Sequence, residues 1–287
     1  MRIAIIVHGE PRFCEEFDLF LDQLKEQEHT FDWFFFLWKE NYQPSEEEAR
    51  QVHNQRIAHT YGYNLIAPNW QSVDEQWASA KIQNNLPETH NIVRIVFSDH
   101  RDLTFKEIRD NYAEEVSVEN ICKNWYSMKQ ADLLRQRHEE ENGFKYDLVI
   151  RTRPDVAVTT GINFQELKEF YGLNSKNVFI PNNRRCGYDG ICFCDLHAIA
   201  DSNNMTIYTD LINKAWEYHQ DGVKFHGETM MARHLQRNFI AYNNGNYAVE
   251  IRHLGTWKDL NTGEIWDSIN VPDWDKKIYL SKFGRWE

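Results

Sequence analysis

Two arginines and an aspartate fall at every second position in Arg151-Thr152-Arg153-Pro154-Asp155, directly after the apolar run Leu148-Val149-Ile150. A short run of this kind reads as a buried strand at the centre of an α/β sheet. Strand side chains alternate between faces, so an extended continuation puts Arg151, Arg153 and Asp155 on one face at the strand's carboxyl end. Open α/β sheets bind their ligands there. Guanidinium forks match phosphate oxygens, and a carboxylate beside phosphates suits a divalent cation. The competing reading is an Arg/Asp salt-bridge cluster that merely finishes the strand. Pro154 cannot donate to a ladder and predicts that the strand leaves the sheet here.

A second group stands at the end of the opening strand, where Ile3 to Val7 runs into His8-Gly9-Glu10-Pro11-Arg12. Gly9 allows a ligand close to the backbone, and Arg12 suits a phosphate. The run is not the G-x-G-x-x-G fingerprint, which removes the main support for a nicotinamide or flavin site. Asp189 and Glu228 each lie next to a glycine in a stretch entering a strand or helix, and either is a candidate base. Their bland readings are a turn aspartate and a first-turn glutamate favoured by the helix dipole. Ser98-Asp99-His100-Arg101-Asp102 reads as a solvated loop rather than a metal cluster.

The elements that position these residues alternate along the chain. A helix over 15–25, with Phe17, Phe20, Leu21 and Leu24 on one face, joins the first strand to a second at Phe31 to Trp38. A polar helix capped by Ser45 is predicted over 46–61, little over 64–91, and a strand over 92–97. A long helix from Ser117 to about Glu141 stops at Asn142-Gly143 and leads into the arginine strand. A short helix over 164–171 and a strand over 177–181 follow, then a polar loop over 182–190 and an apolar run over 191–194. Next come an amphipathic stretch from Met205 to His219 and a helix over 229–236. Two late strands, 239–242 and 247–251, are separated by an Asn-Asn-Gly-Asn turn.

Composition bounds what this assembly can be. The 287 residues carry no linker, repeat or low-complexity segment, and 14% of them are aromatic, which describes one well-packed domain. A formal charge of −12 argues against a broad grip on nucleic acid or anionic membrane, while leaving room for a local basic pocket. The five cysteines lack framework spacing; Cys186, Cys192 and Cys194 cluster without a Cys/His pair to complete a zinc site. They read as reduced thiols, with Cys192 and Cys194 on one face of a strand. No run approaches the roughly 20 apolar residues of a membrane span, and the N-terminal run is too short for a signal peptide. The expectation is a soluble, cytoplasmic protein.

In their order these pieces resemble a group of bacterial and viral glycosyltransferase-like proteins with the GT-A nucleotide-sugar transferase fold. The resemblance rests on Val7-His8-Gly9-Glu10-Pro11-Arg12, Asp32-Trp33-Phe34-Phe35-Phe36-Leu37-Trp38, Met128-Lys129-Gln130-Ala131 and Tyr146 through Asp155. Gly187-Tyr188-Asp189-Gly190 and His226-Gly227-Glu228-Thr229 complete it, covering the chain to about residue 253. It implies a single domain over 1–287, with a mostly parallel mixed sheet flanked by helices. Residues 1–160 would form the nucleotide-sugar half, 161–253 the acceptor side, and 254–287 an aromatic-rich tail covering the core.

The resemblance also implies roles. His8, Gly9, Arg12, Arg151 and Arg153 would hold the donor nucleotide. Asp155 stands where the fold's metal-binding Asp-x-Asp sits, with Arg153 at its first acidic position, and His253 is a candidate second ligand. One carboxylate and two cations imply a weakly held Mn²⁺ or Mg²⁺, or one partly replaced by the arginines. Asp189 or Glu228 would take the acceptor's proton. The implied activity moves a sugar from a nucleotide-diphosphate donor, a UDP-sugar by default, to a hydroxyl of a glycan, lipid-linked sugar, protein or modified base. The alternative is a non-catalytic carbohydrate- or nucleotide-binding protein of the same fold.

Overall fold

In a computed structural model of the chain, the structure describes residues 1–11, 13, 20, 21, 24, 29–39, 65–70, 73–99, 118–158, 162–173, 176–181, 185–186, 192–244, 247, 249–251, 255–259 and 265–267. β1 (Arg2–Gly9) crosses over to β2 (Thr30–Trp38), which lies parallel beside it. β3 (Leu65–Trp70) and helix α1 (Glu75–Asn85) follow, in a region without hydrophobic periodicity. Asp74 caps α1, its side chain accepting from the Trp77 N–H at 2.9 Å. β4 (His90–Ser98) then lies parallel to β2. The long helix α2 (Val118–Asn142) returns the chain through Gly143, at φ 67°, to β5 (Leu148–Thr152).

Beyond β5 come β6 (Val156–Val158), α3 (Phe164–Leu173), β7 (Asn177–Ile180), the short pair β8 (Arg185–Cys186) and β9 (Cys192–Phe193), and β10 (Ala198–Ala200). Helices α4 (Ser202–Thr209) and α5 (Ala215–Gln220), joined by a 3₁₀ turn over Asp210–Asn213, precede α6 (Gly227–Arg237). The chain continues as β11 (Ala241–Asn244), β12 (Val249–Ile251), β13 (Gly255–Asp259) and β14 (Ile265–Asp267).

The main sheet has seven strands in the order β11-β7-β10-β5-β1-β2-β4, so β5 is its middle strand. Its pairings are parallel except those of β10, which runs antiparallel to both β5 and β7. Alternation along β1 sends Ile3, Ile5 and Val7 into one core with Phe20, Leu21 and Leu24 and with Ala78 and Ile82 of α1. Ala4 and Ile6 enter the other core, under α2, α4 and α6. The result is a three-layer α/β domain with a mixed sheet between helices.

A buried ionic network locks α2 to α4. Arg135, fully buried, donates to Asp132 at 2.7 Å, pairs with Glu139 at 2.7 Å, and reaches Ser202 and Thr206 at 2.7 and 2.8 Å. Burial opposes the Arg135 charge, but Asp132 and Glu139 hold its pKa above the ordinary guanidinium range. Burial likewise opposes the Glu139 charge, and hydrogen bonds from Lys145, the Tyr146 N–H and Ser202 hold it below the ordinary carboxylate range. A buried charge set of this kind holds only when every member is satisfied.

Several expectations change. Phe239 begins no strand; it ends α6 in the left-handed region at φ 57°, with the Ile240 N–H on the Leu235 carbonyl at 2.9 Å and its own N–H on Gln236 at 3.1 Å. The two late strands are not paired with each other. β11 runs beside β7, and β12 pairs with β6 in a separate ribbon. The stretch from Met205 to His219 is broken by the 3₁₀ turn, and Cys194 lies beyond the end of β9. Part of the tail, β13 and β14, forms a three-stranded sheet with β3. The helix expected over 46–61, residues 100–102 and the tail beyond 267 lie outside the described residues. Among the described residues no helix is long and apolar enough to cross a membrane.

Candidate functional site

β5 stops at Thr152, and the extended continuation does not occur. The Val156 N–H donates to the Arg153 carbonyl at 3.3 Å, making Arg153-Pro154-Asp155-Val156 a turn. Pro154 fits the second position of such a turn, its φ being fixed by the ring. The turn folds Asp155 back onto Arg153. Nε donates to Oδ1 at 2.9 Å and Nη2 to Oδ2 at 2.6 Å, a two-pronged pair whose carboxylate is 3% exposed. Burial opposes the Arg153 charge, yet Asp155 first, then Asp195 and Glu10, raise its pKa. Both Asp155 oxygens are therefore engaged by protein, the salt-bridge arrangement weighed against a metal role.

Arg151 is held from the opposite side. It is fully buried opposite Ile6 of β1 and Ala198 of β10. Its Nε donates to His8 Nε2 at 2.7 Å, and its Nη1 donates to the Asp195 carbonyl oxygen. His8 Nδ1 lies 3.0 Å from Ser127 Oγ, and that hydroxyl donates to the Asn124 carbonyl at 3.0 Å. The direction of the chain follows: Ser127 spends its proton on Asn124, so His8 donates through Nδ1–H and accepts from Arg151 at Nε2. That requires a neutral imidazole. Burial, then Arg151 and Arg153, push the His8 pKa well below its ordinary range. Burial also lowers the Arg151 pKa. His8 thus orients Arg151 rather than facing a ligand.

β1 ends at Gly9 with φ 108°, a conformation L residues rarely adopt, and among the described residues nothing lies within 4 Å of where a Cβ would stand. Gly9 is itself buried at the carboxyl edge of the parallel strands. The start of α6 reaches the end of β5 through Asp195, whose carbonyl accepts from Arg151. His226 precedes that helix without a side-chain cap, Gly227 is its first residue, and Glu228 lies in its first turn. Glu228 Oε2 is 3.4 Å from His226 Nδ1, with the side chain 13% exposed.

The contact that closes the site joins Asp195 to Gly227. Oδ2 of Asp195 lies 3.0 Å from the place a Gly227 Cβ would occupy, so the absence of a side chain lets this carboxylate rest on the helix start. Asp195 is partly exposed, and among the described residues its carboxylate makes no hydrogen bond or ion pair. The Tyr208 hydroxyl is buried and, among the described residues, has no hydrogen-bond partner. Burial raises its pKa, Arg151 opposes this, and Asp195, Cys194 and Glu228 reinforce it.

No protein-family model and no curated protein matches the chain. The arrangement of its own residues therefore carries the chemistry.

The structure brings His8, Gly9, Arg151, Arg153, Asp155 and Glu228 to one edge of the sheet. Arg12, Asp189 and His253 lie outside the described residues. Among the described residues, no three His, Cys, Asp or Glu side chains are grouped to hold a metal ion. A hard cation bound with a phosphate ligand needs only one or two protein carboxylates, and Asp155 already has both oxygens on Arg153. Asp195, Tyr208 and Ser127 were not legible as site residues. Asp195 has no flanking Gly or Pro, and its partner Gly227 is 32 positions away in sequence. Other parts of the resemblance are structural. Tyr146 donates to Asp32 Oδ2 at 2.7 Å, and Asp147 accepts from the Arg2 N–H at 2.9 Å, both near the opposite, amino edge of the sheet.

Proposed function

We propose that the chain is a glycosyltransferase acting on a nucleotide-diphosphate sugar, with the donor bound across the carboxyl ends of β1 and β5. The observation that carries this reading is that Asp195, tied to β5 through Arg151 on its carbonyl, sets its carboxylate against the Glu228-bearing start of α6, beside the edge where β1 ends in Gly9. A parallel sheet presents its ligand crevice at this edge. The mixed α/β sheet is the coarse architecture the resemblance implies. Glu228, partly exposed and beside His226, suits the acceptor's proton. Mn²⁺ or Mg²⁺ would neutralise the diphosphate leaving group, because Arg151 and Arg153 are already engaged by His8, Asp195 and Asp155. The buried thiols of Cys122 and Cys194, neither of them in a disulfide, suit a reducing, cytoplasmic setting.

The test is release of nucleoside diphosphate from UDP- and GDP-sugars with Mn²⁺, compared between the wild type and Glu228→Gln. Release that falls at least about 100-fold in a folded variant supports the reading. Its absence from every donor removes the enzymatic part.

One observation favours the second reading, a non-catalytic carbohydrate- or nucleotide-binding protein. Asp155, at the position of the family's metal-binding acid, has both oxygens on Arg153. Nucleotide-sugar binding without turnover would select it.

A further inference from the structure

We propose that Cys186 and Cys192 form a redox pair, closing a disulfide across β8 and β9 by exchange with a small-molecule disulfide and reopening under excess thiol. The inference does not depend on the nucleotide-sugar reading above.

β8 and β9 make an antiparallel ribbon in which Cys186 stands directly opposite Cys192, and Arg185 opposite Phe193. Opposed residues of an antiparallel pair have Cα atoms about 4.5 Å apart at one kind of position and about 5.5 Å at the other. A disulfide spans about 4.4–6.8 Å between Cα atoms, so either kind of position accepts the bond with little backbone movement. In sequence the two cysteines are separated by residues 187–191, a spacing that carries no meaning by itself. The register is what brings them together. Among the described residues β8 pairs with β9 alone. β9 is anchored by Phe193, which is fully buried with its ring 4.9 Å from that of Tyr242 in β11. Three residues beyond Cys192, the Asp195 carbonyl is held by Arg151. The bond ties β8 to a fixed strand that leads into the candidate site.

The other described cysteines stand apart. Cys122 and Cys194 are buried in opposite cores, one on each side of the main sheet, and buried structural thiols are inert towards exchange. Cys14 lies outside the described residues. With glutathione disulfide as the oxidant, one protein thiolate attacks it, releases one glutathione thiolate and leaves a mixed disulfide. The second protein thiolate attacks that bond and releases the other. The two thiol protons end on the released glutathione, so two protein thiols are oxidised and one glutathione disulfide is reduced. A cytoplasmic excess of thiol keeps such a pair open.

The experiment equilibrates the full chain in glutathione buffers of rising disulfide share, then quenches with acid, alkylates the remaining thiols and maps the peptides. Cleavage after Tyr188 and Phe193 places Cys186, Cys192 and Cys194 on three separate peptides. The Cys186 and Cys192 peptides should become linked as the share rises, with Cys122 and Cys194 still alkylated, and excess dithiothreitol should reverse the link. Unfolded in urea, the chain should need about tenfold more oxidant for half closure, because the register no longer holds the two positions together. Cys194→Ser should leave closure unchanged, whereas Cys192→Ser should leave Cys186 able to form only a glutathione adduct. A link to Cys194 or Cys14, glutathione adducts without closure in the wild type, both thiols still alkylated at the highest disulfide share, or equal oxidant demand in urea overturns the inference. The nucleotide-sugar reading stands in each case.

Discussion

Both carboxylate oxygens of Asp155 accept from one guanidinium, that of Arg153 two residues earlier, at 2.9 and 2.6 Å. The pair closes the turn that ends the middle strand, so its first consequence is mechanical. Asp155→Asn keeps the shape and removes the charge, leaving Arg153 against Asp195 and Glu10 alone. We expect a loss of about 2–3 kcal/mol, below the full cost of a buried pair because Arg153 is 22% exposed. Urea unfolding measures it, and an unchanged midpoint would release Asp155 for another role.

The Gly227–Asp195 contact predicts a variant that separates binding from stability. Gly227→Ala improves helix propensity by up to about 1 kcal/mol but sets a methyl 3.0 Å from Asp195 Oδ2. The carboxylate must shift by a few tenths of an ångström. Melting temperature should hold or rise while nucleotide-sugar affinity falls about three- to tenfold. A variant with unchanged affinity would detach Asp195 from the ligand.

Buried histidines set an acid limit. His8 lies well below the ordinary imidazole range, and burial, with Arg151 second, pushes His197 down to about 3. Their unfolded forms titrate near about 6.5. Below that pH the unfolded chain binds more protons than the folded one, so stability falls as pH falls. The loss continues down to the folded pKa of each ring, at up to about 1.4 kcal/mol per pH unit per histidine. Unfolding free energies at pH 7 and pH 5 should differ by about 2–4 kcal/mol. Equal values would place a proton on the folded imidazoles.

Arg135 tests the frame behind the site. Arg135→Met leaves Asp132 and Glu139 buried without their shared cation, and a loss of about 3–5 kcal/mol is expected. The companion Glu139→Gln should add less than its own single cost, because both act through one network. Additive costs by denaturant titration would break that network into independent pairs.

The sequence made the middle strand legible because Leu148, Val149 and Ile150 are buried on both faces, leaving an unbroken apolar run. Strand–helix–strand spacing likewise announced the parallel β1–β2 pair. Periodicity failed at α1, which buries Ala78 and Ile82 and so shows no apolar stripe. It also misplaced Phe239, since a large residue at positive φ stands where glycine is expected. At the site, Arg151, Arg153 and Asp155 were visible as types, but their partners were not. Whether a guanidinium meets a phosphate or a carboxylate depends on a turn, on His8 and on Asp195, and neither of those residues is its neighbour in sequence.

Ligand-induced thermal stabilisation tests the central claim most directly, because it needs no acceptor. A panel of nucleoside diphosphates and their sugars is scanned with Mn²⁺ and without it. At about 100 times the dissociation constant, a true ligand adds about 2.7 kcal/mol, or about 5 °C for a chain of this size. The account predicts such a shift with one nucleotide family, larger with Mn²⁺ because Arg151 and Arg153 are already committed. No shift with any nucleotide or nucleotide sugar, with metal or without, would contradict it.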